Sequence, residues 1–180
     1  MKTRLTGSTR KAIQIVATAG IALGAVPATA DQIFLQVANL PGESLDKAHK
    51  DWIEVLSYSQ GVSAGRCSQI NIQKSVDRST PGLMELAAFQ KPVASATLAV
   101  VNQEYGVEYL KVTMTGVLVT DHAYSGCDGC GRPSDYVSLT PSRMTISYRR
   151  QNPSTGSFDT AITKTLMCAN YGAGGGSTPR

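Results

Sequence analysis

Apolar and polar positions alternate through most of this chain. Ile33, Leu35 and Val37 fall between Gln32, Phe34 and Gln36, the two-residue period of a half-buried strand. Ile70, Ile72 and Val76 share one side of a second stretch, with Asn71, Gln73 and Ser75 on the other, and Lys74 interrupts the apolar side. The longest pattern is EYLKVTMTGVLV at 108–119, which sets Leu110, Val112, Met114 and Leu118 on one face and Lys111, Thr113 and Thr115 on the other. Residues 53–60 and 94–102 add two apolar, β-compatible runs, and SFDTAITKTLMC at 157–168 reads as a last strand after the turn QNPSTG.

The stretch YVSLTPSRMTISY changes parity. Val137 and Leu139 are odd, whereas Met144, Ile146 and Tyr148 are even, so the strand must shift register between them. Thr140-Pro141-Ser142 is the natural place, because proline donates nothing to a ladder and tolerates bulges and edges. One segment departs from the two-residue period. In STPGLMELAAF, Ser79 or Thr80 caps, Pro81 occupies the first turn, and Leu83, Leu86 and Ala87 recur at helical spacing until Pro92. This predicts one short helix at about 80–89. Many strands, one helix and turns between them indicate a mainly β sandwich or barrel.

The N-terminal residues change the electrostatic picture. Lys2, Arg4, Arg10 and Lys11 precede the apolar run AIQIVATAGIALGA, then Pro27 and Ala28-Thr29-Ala30, the order of a cleavable secretory signal over 1–30. Taking those four cations from the chain's 17 Lys and Arg leaves 13, against 13 Asp and Glu. A net charge of zero argues against general nucleic-acid binding, which calls for a basic excess. No later apolar run is long enough to cross a bilayer, so no stable membrane insertion is expected of the mature chain. The expected organisation is a signal at 1–30, one domain at 31–170 and a flexible Gly-rich tail, YGAGGGSTPR, at 171–180.

Candidate chemistry is sparse. His49 and His122 stand in no nucleophile motif, and both read as polar loop or strand-end residues. No phosphate-binding, dinucleotide or paired-cysteine metal motif appears, so neither catalytic residues nor a cofactor is expected. The four cysteines are Cys67, Cys127, Cys130 and Cys168, and an even set in an exported chain indicates disulfides. They allow three pairings, which the sequence does not choose among; the preferred one is Cys127–Cys130 within a loop and Cys67–Cys168 between strands.

Four stretches in order resemble the haemolysin-coregulated protein (Hcp) family, the tube protein of type VI secretion. They are LPGESLDKAHKDWIEVLSYSQGV, INIQKSVDRSTPGLMELAAF, VEYLKVTMTGVLVTD and YVSLTPSRMTISYR, and the likeness runs from about Ile33 to Leu166. The resemblance implies a β-barrel of two sheets with one flanking helix and no enzymatic activity. It also implies self-assembly into homohexameric rings that stack and carry effector proteins, with spike and sheath proteins as further partners. Assembly contacts would fall at the β-edges and in the loop Pro41–Asp51, with Pro41, Gly42, Glu43, Asp46, Lys47, His49 and Lys50 as its candidates. Two other readings stay open on sequence alone: an exported Hcp-fold binding module outside an injection machine, and a secreted thiol-redox enzyme using Cys127 and Cys130.

Overall fold

The computed structural model describes residues 30–63 and 66–168. The signal read at 1–30 lies, but for its last residue, outside the described residues, as does the tail at 171–180. Ten strands and one helix follow in chain order among the described residues. They are β1 (Gln32–Val37), β2 (Ile53–Val55), β3 (Ser57–Ser59), β4 (Val62–Ser63), β5 (Arg66–Cys67), β6 (Ile70–Ser75), α1 (Thr80–Phe89), β7 (Val93–Asn102), β8 (Val107–Ser125), β9 (Ser134–Tyr148) and β10 (Ile162–Met167). All named pairings are antiparallel, in the order β2-β1-β7-β8-β9-β6-β3, with β10 on the far half of β9 and β4–β5 a separate hairpin.

The two ends of that order meet in one stretch of chain. The apolar run expected at 53–60 divides at Leu56: β2 pairs with β1, β3 pairs with β6, and the Leu56 N–H already donates to the Gln73 carbonyl at 2.8 Å. The stretch thus changes partner without a loop, and the sheet closes into a barrel. Leu35, Val37, Ile53, Ile70, Ile72, Leu98, Val100, Met114, Val119, Leu139 and Met144 are among the buried side chains of one core. The helix forms where its spacing predicts. Pro81 needs no N–H in the first turn, Leu83 enters the core, and Gln90 ends the helix in the left-handed conformation.

The parity change expected on β9 occurs, and β8 changes with it. Met144 and Pro141 are both buried on β9, and their partners Met114 and Val117 are both buried on β8. Both strands therefore turn over together while staying in register. Gly116 makes this possible: its φ of +58 suits glycine, and a Cβ there would lie 2.7 Å from Ser142 Oγ. The consequence corrects the face read for β8, because Val117 and Val119 enter the core and Leu118 does not. A bulge between Val119 and Asp121 then shifts the register against β9, and the His122 side chain is inward, 3% exposed.

Lys74, which interrupts the apolar side of β6, points into the barrel wall and is fully buried. Its ammonium lies 2.7 Å from Asp77 Oδ1 and 2.9 Å from Asp135 Oδ2, and it donates to Thr80 Oγ1 and the Ser75 carbonyl. Thr80 Oγ1 donates in turn to Asp135 at 2.6 Å, and Asp77 Oδ1 accepts from the Ser79 N–H and hydroxyl. The second Asp135 oxygen lies 2.9 Å from His122 Nε2, without hydrogen-bond alignment. His122 is thus an interior residue and not the polar strand-end residue expected. The cluster ties β6, the N-terminus of α1 and β9 together; two carboxylates on one ammonium leave a negative excess, which the positive end of the helix dipole favours.

Removing one member of a buried ion cluster leaves the others uncompensated. Lys74→Met is therefore expected to destabilise the barrel by about 3–5 kcal/mol, read from urea unfolding. A loss below roughly 1 kcal/mol would show that the cluster does not hold the fold.

Candidate assembly surface

The loop between β1 and β2 carries the charged residues singled out in the sequence, and it is fastened down. The Gly42 N–H donates to the Asp51 carbonyl at 2.7 Å, the Ser44 N–H to the Trp52 carbonyl, the Asp51 N–H to the Ser44 carbonyl and the Trp52 N–H to the His49 carbonyl. Gly42 is buried against the Trp52–Ile53 backbone, where any Cβ would collide. Outside the loop, Glu43 Oε1 accepts from the Arg78 N–H at 3.0 Å, and Arg78 pairs with Asp51 at 2.9 Å. These bonds make the loop a rigid projection of the barrel.

His49 is the residue that moors it. Its ring is 2% exposed, stacks on Phe34 with centroids 4.4 Å apart, and meets Trp52 edge-on. Nδ1 lies 2.8 Å from Asp46 Oδ1 and Nε2 lies 3.0 Å from Glu108 Oε1, at the start of β8. Both ring nitrogens thus face carboxylates and neither faces a hydroxyl or thiol. His49 turns inward and supports the loop from within. Gly42 is likewise interior.

The outward set is Pro41, Glu43, Lys47 and Lys50, with Asp46 half-buried by its bonds to His49. Between them stands Leu45, 91% exposed, an apolar side chain at the tip of an otherwise charged loop. Leu45 was missed in the sequence because a single leucine among charges has no period to reveal it. Two further exposed apolar side chains, Ile162 and Met167, stand at opposite ends of β10 and on opposite faces, each 67% exposed. Only β9 pairs with β10 among the described residues, so its other edge offers unpaired backbone groups, with Lys164 in the middle as the usual edge-blunting charge.

Both disulfides of the preferred pairing are present: Cys67–Cys168 with Cα atoms 5.1 Å apart, and Cys127–Cys130 at 5.3 Å. Cys67 and Cys168 are each 8% exposed and join the core. They span a sequence separation of 101, worth ~5 kcal/mol in the chain-entropy picture. The Cys127–Cys130 link spans only 3, worth about 2 kcal/mol by the same reasoning. Among the described residues, no group of three or more His, Cys, Asp or Glu side chains is placed to hold a metal ion.

Two carboxyls beside His49 are shifted. The hydrogen bond from His49 holds Asp46 below its usual value of 3.8 despite some desolvation. Burial raises Glu108, but the Lys111 ammonium and His49 together outweigh it and leave the carboxyl below 4.5.

Comparison with known proteins gives one answer. The family described as "Type VI secretion system effector, Hcp" matches residues 34–148. Protein hcp1 of Pseudomonas aeruginosa is 32% identical over 135 residues, covering 66% of this chain and 83% of that protein. The crystal structure of Hcp1 from Salmonella typhimurium is similar with a TM-score of 0.69 and 29% identity, over 77% of this chain and 95% of that one. A type VI secretion system effector from Yersinia pestis shares the fold at a TM-score of 0.65 and 22% identity, over 75% and 98% of the two chains.

Two predictions follow from the mooring. His49→Ala removes the stacked ring and two charged partners, and should cost about 2–3 kcal/mol, with faster amide exchange across residues 42–52; unchanged exchange would separate His49 from the loop's rigidity. A carboxyl whose folded pKa is depressed contributes stability above its unfolded value and loses it as pH falls. Asp46 and Glu108 should therefore weaken the fold as pH drops below about 4.5, and an Asp46→Asn, Glu108→Gln chain should show a shallower fall in urea midpoint.

Proposed function

This chain belongs to the Hcp family of type VI secretion proteins, and from that premise we propose that it is a structural subunit that assembles with itself into hexameric rings. The rings stack, and their lumen holds effector proteins; the work done is packing and holding, without a catalytic step. The observation that carries this reading is the loop 41–52, a rigid projection with Leu45 exposed at its tip and charges of both signs around it. Presenting an apolar side chain on a pre-ordered loop lowers the entropy lost when a neighbour covers it. The charges of Glu43, Lys47 and Lys50 suit a polar rim that sets orientation more than affinity. The open edge of β10 supports a second contact, strand to strand.

The cysteines favour one elaboration. A disulfide buried in the core forms where the chain meets an oxidising compartment, which accords with export through the N-terminal segment. A type VI machine loads its subunits from the cytoplasm. That supports a second reading, in which an exported member acts as a ring or binding module beyond that machine and the effector contacts of the first reading do not apply.

Size-exclusion chromatography with negative-stain imaging tests the ring, which should appear as a six-membered annulus. A chain that stays monomeric at high concentration would overturn the reading. Leu45→Asp should shift the particle toward smaller species while leaving the unfolding free energy from urea within about 0.5 kcal/mol of the parent. Rings that persist in this variant would move the contact away from the loop.

A further inference from the structure

We propose that the Cys127–Cys130 disulfide is a thiol–disulfide exchange site, opened by dithiols well before Cys67–Cys168, and that its opening leaves the barrel intact. The site is the tip of the β8–β9 hairpin. Every residue from Ala123 to Pro133 is exposed, both cysteines included. Gly129 and Gly131 flank Cys130 with φ of +76 and +78, and a Cβ built on either would meet nothing within 4 Å. The backbone on both sides of Cys130 thus has open space around it, and both cysteines are exposed to an incoming reductant. The other pair offers the opposite setting, with each cysteine 8% exposed and packed among the core side chains. Exposed disulfides are the labile ones, because exchange needs a thiolate to reach a sulfur.

The fold confines the effect of reduction to the tip. The β8–β9 ladder runs out to Ser125 opposite Ser134. At that point the Pro133 carbonyl accepts from the Val76 N–H at 3.0 Å, and Gly126 packs on the Pro133 ring. Only the turn between those clamps is released. The charges near it are Asp128, between the cysteines, and Arg132, whose guanidinium lies 3.8 Å from Glu43 of the loop 41–52. The released turn thus sits beside the loop that carries Leu45.

The exchange balances as follows. A dithiol, as its thiolate, attacks one sulfur; the Cys127–Cys130 bond breaks, a mixed disulfide forms, and the displaced cysteine takes a proton from water. The reductant's second thiol gives up its proton and displaces the protein sulfur, which becomes a thiol. Two electrons and two protons pass to the protein, and the reductant becomes a cyclic disulfide. The opened pair then has two exposed thiols that re-form the bond with a disulfide oxidant of higher reduction potential, which leaves as its two thiols.

Graded dithiothreitol, trapping with iodoacetamide and peptide mass spectrometry on the native full chain test this. Cys127 and Cys130 should label at a dithiol concentration at least tenfold below that needed for Cys67 and Cys168. Labelling of both pairs together, or of Cys67 and Cys168 first, would overturn the proposal. A Cys127→Ser, Cys130→Ser chain should melt within a few degrees of the parent, and a fall as large as that of a Cys67→Ser, Cys168→Ser chain would sink the claim of confinement. Neither measurement reads ring formation, so each is scored apart from the test for the annulus.

Discussion

The change of partner at Leu56 is the constraint on which the rest of the structure depends. A strand that pairs with β1 up to Val55 and with β6 from Leu56 onward closes the sheet on itself. Closure removes edges that would otherwise stay open, leaving β10 as an exposed edge among the described residues. It also fixes where the neighbouring segments emerge. The loop 41–52 leaves one end of the closing strand and is laid over Phe34 on the outer face of β1. The β4–β5 hairpin leaves the other end and brings Cys67 to Cys168. The projection at one end and the covalent tie at the other thus share an origin in seven consecutive positions, 53–59.

A second device holds the wall that closure creates. Lys74, Asp77, Thr80 and Asp135 join β6, the start of α1 and β9 through a buried polar cluster. Such clusters add little net stability over apolar packing, but they make departures from one arrangement costly. In a strand whose other inward residues are Ile70 and Ile72, the charge pins register. A slip of one residue would turn the ammonium outward and bury Gln73 or Ser75 in its place.

The legible part of this protein was what depends on local spacing. Thr80–Phe89 was readable because Pro81 and the Leu83, Leu86, Ala87 spacing act within one segment. The parity change on β9 was readable because Pro141 marks it. What escaped was set by residues far apart in sequence. Leu118 was placed on the wrong face because the positive φ of Gly116, opposite Ser142, reverses β8 midway. Lys74 looked like an interruption because Asp135 lies on another strand, and the burial of His49 within its loop escaped because Phe34 and Glu108 reach it from β1 and β8. The resemblance to the Hcp family carried the fold further than any of these local patterns. The loop's location was carried with it, but the split between its outward residues and its inward supports was not. That split follows from burial, which needs the folded neighbours.

The Cys67–Cys168 link has a mechanical side. As an edge strand, β10 has one row of hydrogen bonds to β9, and such a strand unzips one bond at a time when pulled from its end. The disulfide sits immediately after Met167, at that vulnerable end. Tension arriving from the C-terminal direction therefore meets a covalent bond first and is routed into β5 and on to the closing strand. The load bypasses the β9–β10 ladder and is carried by the seam of the barrel.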